Sequence, residues 1–182
     1  MRGTDKLFPP VAAAAELLAQ HASTLKLRIQ ITDTLRTNAE QRALYAHSRE
    51  PADKVNALRK AAGMPAVAPA EAAAWRTDAS DATRSYHGYG LAFDWVLLDA
   101  QGRASYDTKA DTNMDGQKDW YQVAGLTRFI PGLESGAYWS SKPDLPHCQM
   151  TFGLTPADLR AGHRPPGWKE WVLAARPPID IQ

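Results

Sequence analysis

The sequence predicts an α+β fold, and three segments carry that prediction. An alanine-rich helical segment runs from Val11 to Gln20, and apolar residues alternate from Leu25 to Ile31 as in a half-buried strand. A second apolar segment, from Leu91 to Leu98, is typical of a partly buried strand. The chain of 182 residues, with 44% apolar content, suits one compact domain spanning 1–182.

The remaining elements follow in order. A helix is expected from Asn38 to Ser48, because Thr37 and Glu40 have the spacing of a capping box. The segment 50–76 is rich in Ala and Pro and is interpreted as an insertion or flap beside the functional site. We also expect a helical patch at Lys54 to Ala62, a helix near Trp120 to Phe129, a strand from His147 to Phe152, a helix opening at Thr155-Pro156, and a short helix in a C-terminal extension at 163–182.

Charge and cysteine usage exclude several classes of function. A net charge of +1 and a pI of about 7.9 give no basis for a nucleic-acid surface or an electrostatic membrane anchor. A single cysteine, Cys148, excludes an internal disulfide. It follows His147 on a predicted strand, so the two side chains point to opposite faces and a Cys-His nucleophilic pair is disfavoured. The sequence shows no apolar stretch of transmembrane length and no secretory signal, which predicts a chain that starts in the cytoplasm.

Two separated motifs contain the candidate metal-binding and catalytic residues. The first is Ser85-Tyr86-His87-Gly88-Tyr89-Gly90-Leu91-Ala92-Phe93-Asp94, and the second is Asp144-Leu145-Pro146-His147. A catalytic zinc ion takes three ligands from His and Asp or Glu side chains and leaves one position for water. His87, Asp94 and His147 are the candidate ligands. Gly88 and Gly90 permit a turn that folds His87 back over Asp94, and a strand at His147 brings the third ligand alongside.

The pattern Ser-x-His-x-x-Gly-x-Ala-x-Asp, followed by Asp-x-x-His, resembles the zinc peptidases related to D-alanyl-D-alanine carboxypeptidases. Asp-x-x-His in place of Glu-x-x-His makes the chain most similar to the L-alanyl-D-glutamate peptidases of bacteriophage endolysins and bacterial wall-recycling enzymes. The resemblance includes Ile31-Thr32-Asp33-Thr34-Leu35-Arg36-Thr37, Gln41-Arg42-Ala43-Leu44-Tyr45 and Trp139. It therefore covers a core of roughly residues 25–152.

This resemblance implies a small antiparallel sheet with flanking helices and a zinc site on the sheet, as in the Hedgehog and D-Ala-D-Ala peptidase-like fold. It implies that the protein cuts the L-Ala to D-Glu bond in the peptide stem of peptidoglycan. An enzyme with this substrate and without a secretory signal is predicted to be an endolysin that stays in the cytoplasm until a separate holin-type protein releases it to the periplasmic or extracellular cell wall. A monomer is expected. The hypothesis includes no nucleic-acid partner and no insertion into a membrane.

Asp144 is the predicted general base, a role that the resemblance also assigns to it. It stands three residues before His147, with Pro146 stiffening the approach. The alternative is that Asp144 only opens a turn, and Glu134 is then the reserve candidate for the base. Arg36 is predicted to bind a carboxylate or a developing oxyanion, because its guanidinium stays protonated. The alternative for Arg36 is an ordinary surface arginine.

Other polar and aromatic residues are candidates of second rank. Ser85 is expected to orient a ligand or bind substrate, and Tyr89 and Trp139 to wall the cleft, although buried aromatics are more often plain core. The three remaining histidines lack such neighbours in the sequence. They are predicted to be exposed and without a role: His21, His47 and His163.

A separate segment resembles the start of a calcium loop. Oxygen-bearing side chains stand at alternate positions, and glycine stands at the sixth: Asp111, Asn113, Asp115, Gly116, Gln117 and Asp119. The twelfth position is Gln122 rather than the usual glutamate, which should weaken calcium binding. A polar loop without an ion is the alternative.

Three further functions stay open beside the L-alanyl-D-glutamate peptidase. A D-Ala-D-Ala carboxypeptidase would share the ligands and differ in its subsites. A non-haem iron oxygenase also uses two histidines and one carboxylate. A non-catalytic wall-binding module would have no need for Asp144.

Overall fold

The computed structural model describes residues 3–74 and 76–174, including the side chains up to Val172. They form two compact units. The first consists of the residues up to Leu35 together with Gly90–Phe152, and the second of Arg36–Tyr89 together with the residues from Gly153 onward. Trp75, in the predicted insertion, and residues 175–182 of the predicted C-terminal extension lie outside the described residues. The prediction of one domain over 1–182 stays a prediction.

A five-stranded antiparallel sheet forms the centre of the first unit. Its path is β1-β2-β5-β4, and β3 pairs with β2 off that path. The strands are β1 Ile29–Asp33, β2 Ala92–Leu98, β3 Ala104–Ser105, β4 Glu134–Ser135 and β5 His147–Gln149. The predicted α+β class with a small antiparallel sheet is therefore confirmed.

Two helices flank this sheet within the first unit, α1 (Pro9–Thr24) and α5 (Asp119–Leu126). Helix α1 begins with two prolines in its first turn, where no backbone N–H is needed for an intrahelical bond. Trp120 of α5 stacks on Trp95 of β2, with ring centroids 4.7 Å apart. These aromatic rings are buried, so they fix the helix against the strand that carries Asp94.

Two predicted strand boundaries are wrong in position. The first strand begins at Ile29 rather than Leu25, because α1 continues to Thr24 and Lys26 then adopts a left-handed backbone with φ of 61°. The last strand ends at Gln149, and Phe152 leaves the sheet with φ of 53°. A sequence window shows where apolar residues alternate, but the turn that ends each element depends on its packing.

The second unit is helical. Its helices are α2 Asn38–Tyr45, α3 Ala52–Ala61, α4 Pro69–Ala72, α6 Pro156–Arg160 and α7 Trp168–Ala174. The capping box at Thr37 and Glu40 is confirmed at the start of α2. Residues of the predicted insertion form α3 and α4, and their side chains Val55 and Ala72 pack with Ala46 in a small buried cluster. The predicted helix in the C-terminal extension is present as α7.

The histidines differ in exposure. His163 is exposed as predicted, and His21 is half-buried. The prediction for His47 is wrong, since this side chain is fully buried. Its Nδ1 lies 3.0 Å from the Glu71 carbonyl oxygen, and its Nε2 lies 3.3 Å from a guanidinium nitrogen of Arg59. The segment that buries His47 comes from α3 and α4, which a local pattern around His47 does not reveal.

Burial of His47 leads to an expected pH dependence of stability. Burial lowers the pKa of His47, and the nearby Arg59 charge lowers it further against the opposing hydrogen bond to Glu71. As pH falls through about 6.5, the unfolded chain takes up a proton at this residue before the folded chain does, so the free energy of unfolding falls. Urea unfolding at about pH 7.5 and about pH 5.5 should show this loss in the parent.

The matched comparison uses His47→Gln and, as a control, the exposed His163→Gln. The His47→Gln variant should be less stable at the higher pH but should lose less stability between the two pH values than the parent does. Equal losses in the parent and in His47→Gln would contradict the prediction.

Candidate metal centre

The sheet brings Asp94 and His147 together in the first unit. The two residues are cross-strand partners in the pairing of β2 with β5, so their side chains stand on the same face of the sheet. Nδ1 of His147 lies 3.3 Å from Oδ1 of Asp94. His147 is buried and Asp94 is half-buried. The predicted placement of both residues on neighbouring strands therefore matches the structure.

His87 lies in a 3-10 turn, Tyr86–Tyr89, and its side chain is buried. A Cβ atom on Gly88 would lie 2.1 Å from the carbonyl oxygen of Ala82, so this turn can close only with glycine there. The Ser85 hydroxyl accepts a hydrogen bond from the His87 N–H at 3.3 Å, and the His87 carbonyl accepts one from the Arg36 N–H at 3.0 Å. Ser85 and Arg36 thus hold the backbone on both sides of His87.

His87, Asp94 and His147 each offer one ligand atom, and these three atoms lie within 4.8 Å of one another. Two imidazoles and one carboxylate at this separation match the donor set of catalytic zinc sites, which leave one coordination position to water or substrate. The group could therefore hold a metal ion.

Charge around His147 favours its protonated form when no metal is bound. Burial by itself lowers the pKa of His147, but the hydrogen bond and charge of Asp94 and the charge of Asp144 outweigh it and raise the pKa above its usual value. A divalent cation at this position would replace the proton as the partner of the Asp94 carboxylate.

The sequence reasoning missed Gln149. It lies two residues after His147 on β5 and so shares its face of the sheet. Its Oε1 lies 3.1 Å from Nε2 of His147, and its own amide donates to Oε2 of Glu134 at 3.0 Å. With Nε2–H donating to Gln149, the Nδ1 lone pair of a neutral His147 faces Asp94. The period-two spacing from His147 was the signal that could have identified Gln149.

Comparison with known proteins shows where the chain belongs. The peptidoglycan L-alanyl-D-glutamate endopeptidase CwlK of Bacillus subtilis (strain 168) is 30% identical to it over 144 residues, which are 79% of this chain and 73% of the relative. The chain belongs to the family of peptidoglycan L-alanyl-D-glutamate endopeptidases. This confirms the predicted relationship to the zinc D-Ala-D-Ala carboxypeptidase-like peptidases and to this branch of them.

A solved structure shares the fold of this endopeptidase family member. The Serratia marcescens L-Ala D-Glu endopeptidase ChiX matches with a TM-score of 0.51 and 19% identity, covering 82% of this chain and 84% of that chain. A scan against protein-family profiles finds no match.

Asp144, the predicted base of this family member, lies in the turn that leads into β5. Its carbonyl accepts from the His147 N–H at 3.2 Å, and its own N–H donates to the Gly136 carbonyl at 2.9 Å. A Cβ atom on Gly136 would lie 2.6 Å from the Asp144 carbonyl oxygen, so glycine is required for this close approach. Asp144 thus forms part of a turn, as the alternative prediction proposed. This turn does not exclude the role of a base, because it holds the residue beside His147.

The remaining predicted site residues fall into different surroundings. Trp139 is partly exposed, and its ring centroid lies 5.1 Å from that of His147. Tyr89 is buried, and its hydroxyl donates to the Thr83 carbonyl at 3.2 Å, which fits a structural role better than substrate contact. Trp168 of α7 donates its indole N–H to the Tyr89 carbonyl at 3.3 Å, so the C-terminal extension supports the turn that carries His87.

Three polar residues complete the comparison with the sequence predictions. Arg36 is buried rather than on the surface, and its guanidinium donates to Oε1 of Gln41 at 3.0 Å. Glu134, the reserve base, is exposed and is engaged by the amide of Gln149. Cys148 points away from His147 in the sheet, and burial raises the pKa of its thiol, which argues further against a thiolate nucleophile.

In residues 3–74 and 76–174 there is no helix with the length and apolar character that crossing a bilayer requires.

Proposed function

We propose that this protein is a zinc-dependent endopeptidase that hydrolyses the L-Ala to D-Glu bond in the peptide stem of peptidoglycan. The observation that carries the proposal is the group of His87, Asp94 and His147, whose ligand atoms lie within 4.8 Å of one another in a chain related to L-alanyl-D-glutamate endopeptidases. Two neutral imidazoles and a carboxylate favour zinc, the usual metal of hydrolytic sites with this donor set.

Zinc held by these three side chains supplies a Lewis acid that polarises the scissile carbonyl and makes water more acidic. The residues of the chain perform the other tasks. Asp144 accepts the proton of the attacking water and then passes it to the departing amine of D-Glu. Its carboxylate suits this task because the turn with Gly136 holds it close to His147. There the negative charge of Asp144 contributes to raising the pKa of His147.

Arg36 is proposed to stabilise negative charge, either on a stem-peptide carboxylate or on the developing oxyanion. Its burial and its hydrogen bond to Gln41 support this proposal, since a guanidinium held in one orientation stabilises an oxyanion without reorganising. Trp139 is proposed to contact the substrate because its partly exposed ring lies against His147. Ser85 is proposed as a positioning residue for His87 through the backbone hydrogen bond.

The peptidoglycan substrate follows from the proposed activity. An endolysin of phage origin, release by a holin-type protein, and a monomeric state stay predictions.

Mass spectrometry of purified peptidoglycan after incubation with the zinc-loaded protein tests the proposal. New amino termini at D-Glu are the expected result, and they should appear far more slowly with Asp144→Asn. Release of terminal D-Ala alone would assign the protein as a carboxypeptidase instead. An unchanged wall in every sample would contradict a peptidoglycan hydrolase, and the iron and wall-binding alternatives would then be examined by iron-dependent activity and by co-sedimentation with the wall.

Gln149 offers a test of the proposed ligand orientation. Replacing Gln149 with leucine removes the acceptor for Nε2–H of His147, and loss of such an outer partner typically lowers metal affinity about 10–100-fold. Competition with a zinc chelator should show this loss. Gln149→Glu loses the hydrogen bond to Glu134 but keeps an acceptor for Nε2–H of His147, and it should therefore retain more of the affinity than Gln149→Leu. Equal affinity in the parent and Gln149→Leu would contradict the role given to Gln149.

A further inference from the structure

The acidic loop, residues 111–122, is not used by the proposed peptidase. It closes around the carboxylate of Asp111, whose two oxygens accept from the N–H groups of Asp115 at 3.1 Å and Gly116 at 2.9 Å. Gly116 has φ of 83°, which the sixth position of a calcium loop requires for its sharp turn. The loop is therefore already folded around one of its acidic side chains.

Oxygen atoms from three segments converge on the side chain of Asn113. Its Nδ2 lies 3.1 Å from the Leu25 carbonyl oxygen, 3.0 Å from Oδ2 of Asp115 and 3.2 Å from Oε1 of Gln122. Rotation of the Asn113 amide by half a turn exchanges Nδ2 for Oδ1 and adds another oxygen to this group. Carboxylate, amide and backbone oxygens are the ligands that Ca²⁺ takes.

The carboxylate of Asp119 is an independent indication of a cation site in the loop. Its side chain is 1% exposed. Oδ2 accepts from the N–H of Thr112 at 2.9 Å and from the Thr112 hydroxyl at 2.7 Å, so the carboxylate is directed back into the acidic loop. The other oxygen, Oδ1, is buried and has no hydrogen-bond partner among the described residues. A buried carboxylate oxygen without a donor is unfavourable, and a bound cation removes that cost.

In the part of the chain that the structure describes, these carboxylates have no basic ion-pair partner: neither lysine nor arginine forms an ion pair with Asp111, Asp115 or Asp119. Residues 111–119 contain three aspartates and one lysine, Lys118, so the segment keeps an excess of negative charge, and a divalent cation is the counter-charge that the oxygen-rich loop can bind.

We propose that the acidic loop binds one Ca²⁺ ion through the side chains of Asp111, Asn113 and Asp115, the backbone carbonyl of Gln117 and the carboxylate of Asp119. Gln122 replaces the bidentate glutamate at the twelfth position. This loss of a charged ligand places the expected dissociation constant in the weak range of calcium modules, about 10⁻⁴–10⁻³ M.

The position of the loop indicates what the ion does. Asp119 is the first residue of α5, and the next residue, Trp120, stacks on Trp95 of β2 with centroids 4.7 Å apart. Trp95 directly follows Asp94 on that strand. Calcium therefore ties the start of α5 to the loop and stabilises the packing of this helix behind the strand that carries Asp94. This role is independent of the proposed peptidase activity.

Terbium luminescence tests the site without measuring peptidase activity. Tb³⁺ is titrated into the zinc-loaded protein while tryptophan is excited, because Trp120 lies next to Asp119 and can transfer energy to the bound ion. We expect saturable emission with one ion per chain, displaced by Ca²⁺ and not by the same concentration of Mg²⁺. Asp115→Asn should weaken binding at least about tenfold, because it removes a charged ligand from an exposed position without changing its shape. Asp107→Asn, an exposed aspartate just before the loop, is the matched control and should bind as the parent does.

Thermal unfolding gives the second readout. Calcium should raise the Tm of the parent and of Asp107→Asn, with a smaller rise in Asp115→Asn. Absence of terbium emission from the parent, or equal binding and equal Tm shifts in the parent and Asp115→Asn, would overturn the proposal.

Discussion

Replacement of Asp144 by asparagine is expected to lower kcat about 10²–10⁴-fold, the range for loss of a general base. The amide keeps the shape of the side chain and the backbone hydrogen bonds to Gly136 and His147, so the turn should stay intact. It cannot accept the proton of the attacking water. Stopped assays on a defined stem peptide, with zinc content measured in the same samples, would separate loss of the base from loss of the metal.

The reserve base provides the control for this experiment. Glu134 is exposed and accepts from the Gln149 amide, a hydrogen bond that the Glu134→Gln variant can keep through its own carbonyl oxygen. Glu134→Gln should therefore retain most of the activity. A large fall with Glu134→Gln and a small one with Asp144→Asn would transfer the role of base to Glu134.

Replacement of Asp94 by asparagine is expected to reduce zinc affinity by more than the 10–100-fold that loss of an outer partner typically costs. Asp94 is the one carboxylate of the proposed ligand set, and its charge balances the metal and fixes His147 at 3.3 Å. Activity should fall in parallel with bound zinc and should recover in part at high zinc concentration. Zinc content after dialysis and activity against zinc concentration measure both effects.

The metal-free form of Asp94→Asn gives a second, independent readout. Since the hydrogen bond and charge of Asp94 raise the pKa of His147 in the metal-free protein, the variant should show a lower His147 pKa by NMR titration. Asp107→Asn, which changes an exposed carboxylate outside the site, should alter neither zinc affinity nor this pKa. An unchanged His147 pKa and full zinc content in Asp94→Asn would contradict the assignment of Asp94.

Much of the candidate site could be predicted from local sequence. Gly88 and Gly90 indicate a turn after His87, and the apolar run from Leu91 indicates a strand that carries Asp94; both features are present. The capping box at Thr37 places the start of α2 correctly, because capping depends on residues within one helical turn. Such predictions succeed where the cause of the structure lies within a few residues of its effect.

The residues that sequence reasoning placed wrongly or missed depend on distant segments. His47 is buried by α3 and α4, whose packing cannot be seen in the sequence around His47. Gln149 acquires its contacts from the pairing of β5 with β4, which brings Glu134 alongside it. For Arg36, a predicted site residue, only the alternative of a surface arginine is wrong: the side chain is buried, although a position just after a strand is more often exposed.

The motifs at residues 85–94 and 144–147 were therefore enough to indicate the family by resemblance, and the sequence also supplied the proposed zinc ligands and the residue types available for proton transfer and calcium binding. The ligands and residue types follow from the chemistry of side chains and from their spacing in the chain. Folding was needed to establish the order of the five strands, the hydrogen bonding of His147 to Gln149 and the burial of Asp119, whose Oδ1 has no partner within residues 3–74 and 76–174. Burial and cross-strand pairing are set by contacts between residues far apart in the chain, so only the folded protein reveals them.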